Sequence, residues 1–280
     1  MMIKKFCPLV CTIWLCLIVP PVTFAKGRVE HHQITSKILS DAGQPADREL
    51  SVYLPEEYDT SDLAYPVLYL IHGAMSTNRF WFIYSVDSLF AAVPKPMIIV
   101  MPYMGGDNRI AEIEDEYLVR DILPFIDGKY RTIPRREGRA IAGVSQGGAD
   151  ALHIALSHSE LFRFVAGISA GGARALPGRK LLEAYLQKRF PIDFWFGYGR
   201  NEEFGITGAN REFIKMLEEF GFPHEYVEDD GRHIDAAALF QRFLGSFEWA
   251  SEKLGGGAVF SSVEAYGKLP KMWGEIKFSK

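Results

Sequence analysis

Cysteine is scarce and confined to one end of this chain: Cys7, Cys11 and Cys16 are the three cysteines of its 280 residues. Beyond Cys16 no disulfide, thiolate nucleophile or cysteine-ligated zinc is available. No pair of the 7 histidines has the spacing of a metal site, so neither a metal nor a cofactor is expected. Positive charge is also short. The 31 Lys and Arg are outnumbered by 35 Asp and Glu, for a net charge of −4, and no basic stripe is present. Nucleic acid is therefore not an expected partner. Internal repeats and low-complexity linkers are absent.

The longest departure from ordinary composition is at the start. Lys4 and Lys5 precede a mostly apolar run from Phe6 to Val19, followed by Pro20-Pro21 and the small-residue pattern Thr23-Phe24-Ala25. The run is short of the about 20 residues that span a bilayer. Its order matches the charged, apolar and cleavage regions of a signal peptide, predicted over residues 1–25 with removal after Ala25. The expectation is an exported protein, periplasmic or extracellular in a bacterium, with no stable membrane insertion after cleavage. The about 255 residues that follow are enough for a core of their own. Their oligomeric state is left open.

The rest reads as one α/β unit over residues 26–254, with a tail of undetermined structure at 255–280. An antiparallel pair, Gln33 to Leu39 with Glu49 to Leu54, opens it. Continuous apolar runs of strand length follow at Pro66 to Ile71, Pro96 to Met101, Ala140 to Val144, Phe164 to Ile168 and Ile192 to Phe196. Helical patterns lie between and after them, at Tyr117 to Tyr130, Gly148 to Ser157, Ala209 to Phe220 and Asp235 to Leu254. Uninterrupted apolar strands alternating with helices predict a mostly parallel central sheet with helices on both faces. Short connections favour a single domain. Segments long enough to form a lid are 74–93, 103–116 and 171–189.

Gly143-Val144-Ser145-Gln146-Gly147 carries the chemistry. A serine between a strand and a helix, with glycine two residues to either side, fits a sharp turn that pushes the hydroxyl into an open site. Ligands of open α/β sheets bind at the carboxyl ends of the strands. Three groups fall there: Ser145, the His72-Gly73-Ala74 segment, and Glu202-Glu203 after the Ile192 run. His233 follows one further short strand, His224 to Val227.

A serine hydroxyl needs a base within hydrogen-bond reach, and the base needs a carboxylate to fix its tautomer. His233 is the best-placed base. The acid is open among Glu202, Glu203, Asp229 and Asp230, with Asp193 at the early end of its strand. Oxyanion donors are expected from the backbone N–H groups of Gln146 and Ala74. His72 is expected to orient that loop. Among the aromatic residues near the predicted site, Trp81 and Tyr103 are expected to line a substrate pocket; burial in the core is the competing reading.

The chain resembles the "Putative esterase" family of the α/β-hydrolase superfamily, over roughly residues 48–252. The carrying motifs are Val52-Tyr-Leu-Pro-Glu-Glu-Tyr58, Tyr65-Pro-Val-Leu-Tyr-Leu-Ile-His-Gly73, Asp121-Ile-Leu-Pro-Phe-Ile126, Arg139-Ala-Ile-Ala-Gly-Val-Ser-Gln-Gly-Gly148 and Leu161-Phe162. That family includes esterase D-type S-formylglutathione hydrolases, feruloyl and acetylxylan esterases, and mycolyltransferases. The resemblance implies a serine hydrolase acting on a small-molecule or polysaccharide-linked ester. In the family an aspartate usually follows a strand-end glycine by three residues. Here Gly199-Arg-Asn-Glu202 matches that spacing, so the resemblance puts Glu202 in the acid's place. Acyl transfer to another alcohol and a catalytically silent binding protein are the alternatives.

Overall fold

The computed structural model describes residues 27–84, 86–105, 111–172, 174–187 and 190–255. The predicted signal peptide and nearly all of the predicted tail lie outside the described residues. The strands are β1 (Arg28–Thr35), β2 (Asp47–Leu54), β3 (Val67–Ile71), β4 (Ile98–Pro102), β5 (Arg139–Val144), β6 (Phe164–Ile168), β7 (Asp193–Gly199) and β8 (His224–Asp229). They form an 8-stranded sheet in the order β1-β2-β4-β3-β5-β6-β7-β8. β1 with β2 and β2 with β4 pair antiparallel, and all other pairs are parallel.

Period-two alternation sends each strand's residues to opposite faces. Val67, Tyr69 and Ile71 join one core, with Ile141, Val165 and Phe194. Leu68 and Leu70 join the other, with Ala140, Ala142 and Trp195. Because both faces are covered, the central strands show none of the polar alternation of a half-exposed sheet.

The helices are α1 (Lys37–Asp41), α2 (Phe80–Ile83), α3 (Val86–Ala92), α4 (Ala111–Tyr117), α5 (Leu123–Lys129), α6 (Gln146–Ser157), α7 (Arg179–Leu186), α8 (Ile206–Phe220) and α9 (Ala236–Gly255). α4 to α8 pack on the first face, while α2, α3 and α9 pack on the second. Several boundaries shift by a few residues from the sequence expectation, and two of the shifts bear on packing. The opening strand stops at Thr35 because Ser36 caps α1, its Oγ accepting from the Leu39 amide at 3.2 Å. The helix expected from Tyr117 is preceded by α4, in which Glu114 forms a buried pair with Arg48 at 3.4 Å. Leu118–Ile122 widens to a π turn just ahead of Pro124, which lacks an amide donor.

Candidate active site

β5 runs directly into α6, and the turn between them is tight. Ser145 sits at φ 56° and ψ −126°. For a residue with a Cβ such a backbone costs on the order of 1–3 kcal/mol, and the surroundings must enforce it. Here the Ser145 amide donates to Ile168 O at 2.9 Å, and its carbonyl accepts from Gly148 and Gly171, both at 3.0 Å. A Cβ at Gly143 would stand 2.1 Å from Gly147 O, and one at Gly147 would stand 2.3 Å from His72 O. Any side chain at either position would collide with backbone and open the turn.

The loop after β8 brings His233 over this turn. Its Nε2 lies 3.0 Å from Ser145 Oγ, and its Nδ1 lies 3.0 Å from Glu202 Oε2. An ionised carboxylate only accepts, so Nδ1 carries the proton and donates to Glu202. That leaves Nε2 as an acceptor for the serine hydroxyl. The Glu202 side chain has no exposed surface, whereas the imidazole keeps 12%.

The structure separates the other candidate acids from this ring. Glu203 turns outward: Oε2 accepts from the His233 amide at 3.3 Å and Oε1 from Arg232 Nε at 2.7 Å. These backbone and side-chain bonds hold its carboxyl below the ordinary range. Asp193 pairs with Arg163 at 2.9 Å at the far end of β7. Asp230 pairs with Arg200, and Asp229 with Arg242.

His72 is fully buried and bridges the ends of β3 and β4. The Met104 amide donates to its Nε2 at 3.0 Å, so Nδ1 bears the proton and donates to Gly73 O at 2.8 Å. This fixes the segment leading into Ala74. Gly73 passes close to the nucleophile, with an added Cβ meeting Ser145 Cβ at 3.4 Å. Gln146 is the first residue of α6. Of the two residues expected to donate backbone N–H groups, Gln146 follows Ser145 directly and Ala74 follows the glycine that approaches it.

Tyr103 is half-buried and stacks on His72, with ring centroids 5.7 Å apart and planes at 14°. The expectation for Trp81 is corrected. It has no exposed surface and packs edge-on against Phe243 at 5.3 Å, because the single turn of α2 aims it into the core. The apolar surface beside the site comes from residues that sequence reading missed. Phe204 is 80% exposed and packs edge-on to the His233 ring at 6.1 Å; Ile234 and Met75 are exposed as well. Each adjoins a residue already singled out, and that adjacency is the only signal the sequence holds for them. Ser169 and Arg242, which bond Glu202, carry no local motif. Among the described residues, no group of three or more His, Cys, Asp or Glu could hold a metal ion. No helix among them is long and apolar enough to cross a membrane.

The family model "Putative esterase" matches residues 43–195. An esterase of Mycobacterium tuberculosis, Esterase Rv1288, is 34% identical over 118 residues, which are 39% of this chain and 26% of that protein. An endo-1,4-beta-xylanase/feruloyl esterase of Xylanibacter ruminicola is 32% identical over 132 residues, 41% of this chain and 18% of its own length. The chain thus aligns with a minor part of each of these longer relatives. Among solved structures, a ferulic acid esterase superposes with a TM-score of 0.67 at 23% identity, covering 82% of this chain and 100% of that one. The S-formylglutathione hydrolase FrmB of Staphylococcus aureus gives 0.66 at 17% identity, covering 80% and 99%. At these identities the likeness is one of fold.

Proposed function

The chain belongs to the "Putative esterase" family of the α/β-hydrolase fold, and from that premise we propose that it is a serine hydrolase of carboxylic esters with Ser145, His233 and Glu202 as its catalytic residues. The observation that carries this reading is the unbroken relay of two 3.0 Å contacts from Ser145 through His233 to Glu202. Its members come from three separate loops at one end of the sheet, and packing alone does not demand that they meet.

In the proposed cycle, Ser145 Oγ attacks the ester carbonyl carbon while His233 Nε2 takes the hydroxyl proton. The carbonyl electron pair moves to oxygen, where the N–H groups of Gln146 and Ala74 receive it. Each such donor contributes about 2.7–4 kcal/mol in related sites. Collapse of the tetrahedral intermediate breaks the bond to the alkoxide, which leaves with the proton from His233. Water, deprotonated by the same nitrogen, then attacks the acyl carbon; the bond to Ser145 Oγ breaks, the acid leaves, and Oγ takes the proton back from His233. Glu202 keeps Nδ1 protonated and offsets the imidazolium charge. Every step uses the chain's own groups and water.

Small-molecule or polysaccharide-linked esters are the proposed substrates. A feruloyl esterase among the relatives supports the second class. The exposed Phe204, Ile234 and Met75 support an apolar acyl or aryl group at the rim, with Tyr103 near the loop that holds Ala74. Export through residues 1–25 is part of the proposal and is consistent with a polysaccharide-linked substrate.

The test is steady-state hydrolysis of aryl acetates and a feruloyl ester by wild type and Ser145→Ala. Wild type is expected to turn over, and the variant to lose about 10⁴-fold or more in kcat. Folded wild type that cleaves none of these esters overturns the assignment. Product analysis with added alcohol is expected to give mainly the free acid; a dominant transferred ester would make the protein an acyltransferase.

A further inference from the structure

Glu202 is not held by His233 alone. Its other oxygen, Oε1, accepts from the Gly199 amide at 2.7 Å, Ser169 Oγ at 2.9 Å and Arg242 Nη1 at 2.6 Å. Arg242 comes from the first half of α9 and is 1% exposed in its side chain. Its remaining nitrogens are also committed: Nε and Nη2 each donate at 2.6 Å to one oxygen of Asp229, at the end of β8. Nη1 donates a second bond to Ser169 Oγ at 2.8 Å. The fork geometry of a guanidinium suits this double engagement, and an ammonium cannot reproduce it.

Space for the group is built in. A Cβ on Gly199 would come within 2.6 Å of Arg242 Nη2, and one on Gly231 within 2.9 Å of the same atom. Burial of Asp229 would raise its carboxyl, yet bonds from Arg242 and the Gly231 amide, with the Arg242 charge, hold it below the ordinary range.

The electrostatics explain why two acids are present. A guanidinium 2.6 Å from Glu202 with no other counter-charge would cancel the negative charge that an imidazolium at His233 requires. With Asp229 paired side-on to Arg242, the arginine's charge is balanced there, and the charge of Glu202 remains available to His233. The cluster then carries one surplus negative charge, and proton transfer to His233 brings it to neutrality. Oε1 is pinned by three donors, so Oε2 is the oxygen that meets Nδ1.

Resting on the ester-hydrolase reading above, the geometry points to Arg242 as a positioning residue that fixes the Glu202 carboxylate, with Asp229 as the counter-charge that keeps Glu202 effective toward His233. Neither residue touches the reacting atoms.

The experiment is the pH profile of kcat/KM for an aryl acetate, with kcat, KM and Tm, in wild type, Arg242→Met, Arg242→Lys and Asp229→Asn. The charged groups around His233 are Glu202 and Glu203 from the loop after β7, Arg232 in its own loop, Asp229 from β8 and Arg242 from α9. Only one of them changes in each variant. Base catalysis needs neutral imidazole, so the acid limb reports protonation of His233. Removing the positive charge favours the imidazolium, and the limb of Arg242→Met should move to higher pH by about half a unit or more. Removing the negative charge does the opposite, and the limb of Asp229→Asn should move to lower pH. For Arg242→Met, kcat should fall about tenfold or more with KM changed less than about threefold. Arg242→Lys should return the limb toward wild type without restoring kcat fully.

Limbs of folded Arg242→Met and Asp229→Asn that stay in place, or that move in the same direction, overturn the inference. If Arg242→Met does not fold, the half-exposed Asp229→Asn decides by its limb, and a folded Arg242→Lys with wild-type kcat overturns the positioning role. Wild type that fails to hydrolyse esters overturns the underlying reading and this one with it. Active wild type with unmoved limbs overturns the positioning role alone.

Discussion

Two arginines in this protein, Arg242 buried and Arg174 half-buried, each face two carboxylates, and the outcomes differ. Arg242 meets Glu202 and Asp229 through three bonds of 2.6 Å. Arg174 meets Asp115 through two bonds of 3.3 Å and Asp150 through one of 2.9 Å. Around Arg242 the acids receive further donors, from Ser169 and the amides of Gly199 and Gly231, and Asp229 is held low. Around Arg174, burial dominates and pushes Asp115 up to about 6 despite its arginine. The residue types are alike, but the local donors differ. An arginine with two acids is therefore not a functional signature in itself. What distinguishes the Arg242 cluster is the set of donors that holds Asp229 low despite burial, and the histidine that Glu202 reaches.

The largest expected contrast is in turnover. Glu202→Gln should lower kcat by about 10³–10⁴-fold, as loss of the orienting charge does in other triads. Asp115→Asn should lower it by less than about threefold, since Asp115 contacts neither His233 nor Ser145. Equal losses in steady-state assays would erase the distinction between the clusters.

Stability against pH should separate them next, with opposite slopes. Asp115 has a folded value raised above the unfolded one. Its favourable contribution is fully present below about pH 4 and lost as pH rises through about 6. Urea unfolding should thus show wild type losing up to about 3 kcal/mol relative to Asp115→Asn between pH 4 and pH 7. Asp229 has a lowered folded value, so its contribution is present above its unfolded value of about 3.9 and lost as pH falls through the folded one. Asp229→Asn should be the less stable protein at pH 7 and converge with wild type in acid. Parallel slopes for the two variants would contradict the assignment.

The smallest expected effect isolates one donor. Ser169→Ala removes the hydroxyl that bridges Glu202 and Arg242 and leaves the Gly199 amide in place. A net hydrogen bond of about 0.5–1.5 kcal/mol corresponds to a loss of about two- to tenfold in kcat. A loss as large as that of Glu202→Gln would mean that the hydroxyl, rather than the arginine, governs the acid.

Much of this arrangement is legible in the sequence, for physical reasons that also mark where legibility stops. The parallel strands declare themselves because burial on both faces makes them continuously apolar, as in Val67–Ile71. The glycines around Ser145 are visible because backbone meets backbone there. His233 is legible by its position after a strand and Glu202 only through the spacing from Gly199 that the family resemblance supplies, and the structure shows why Glu202 rather than Glu203 faces the ring: Oε1 of Glu202 is drawn inward by Gly199, Ser169 and Arg242. Arg242 lies among Leu239 and Phe243 on α9, a charge on an apolar face whose partners are 13 and 40 residues away. No local pattern encodes such distances. Trp81 fails for a related reason, because four residues of helix are too few to show a buried side.

The most direct test of the central claim is covalent labelling of folded wild type with a fluorophosphonate, followed by mapping of the modified peptide. One adduct is predicted, on Ser145, forming far more slowly in His233→Gln, where the base is gone. Folded, ester-cleaving protein whose Ser145 stays unlabelled, or an adduct that maps to another residue, would contradict it.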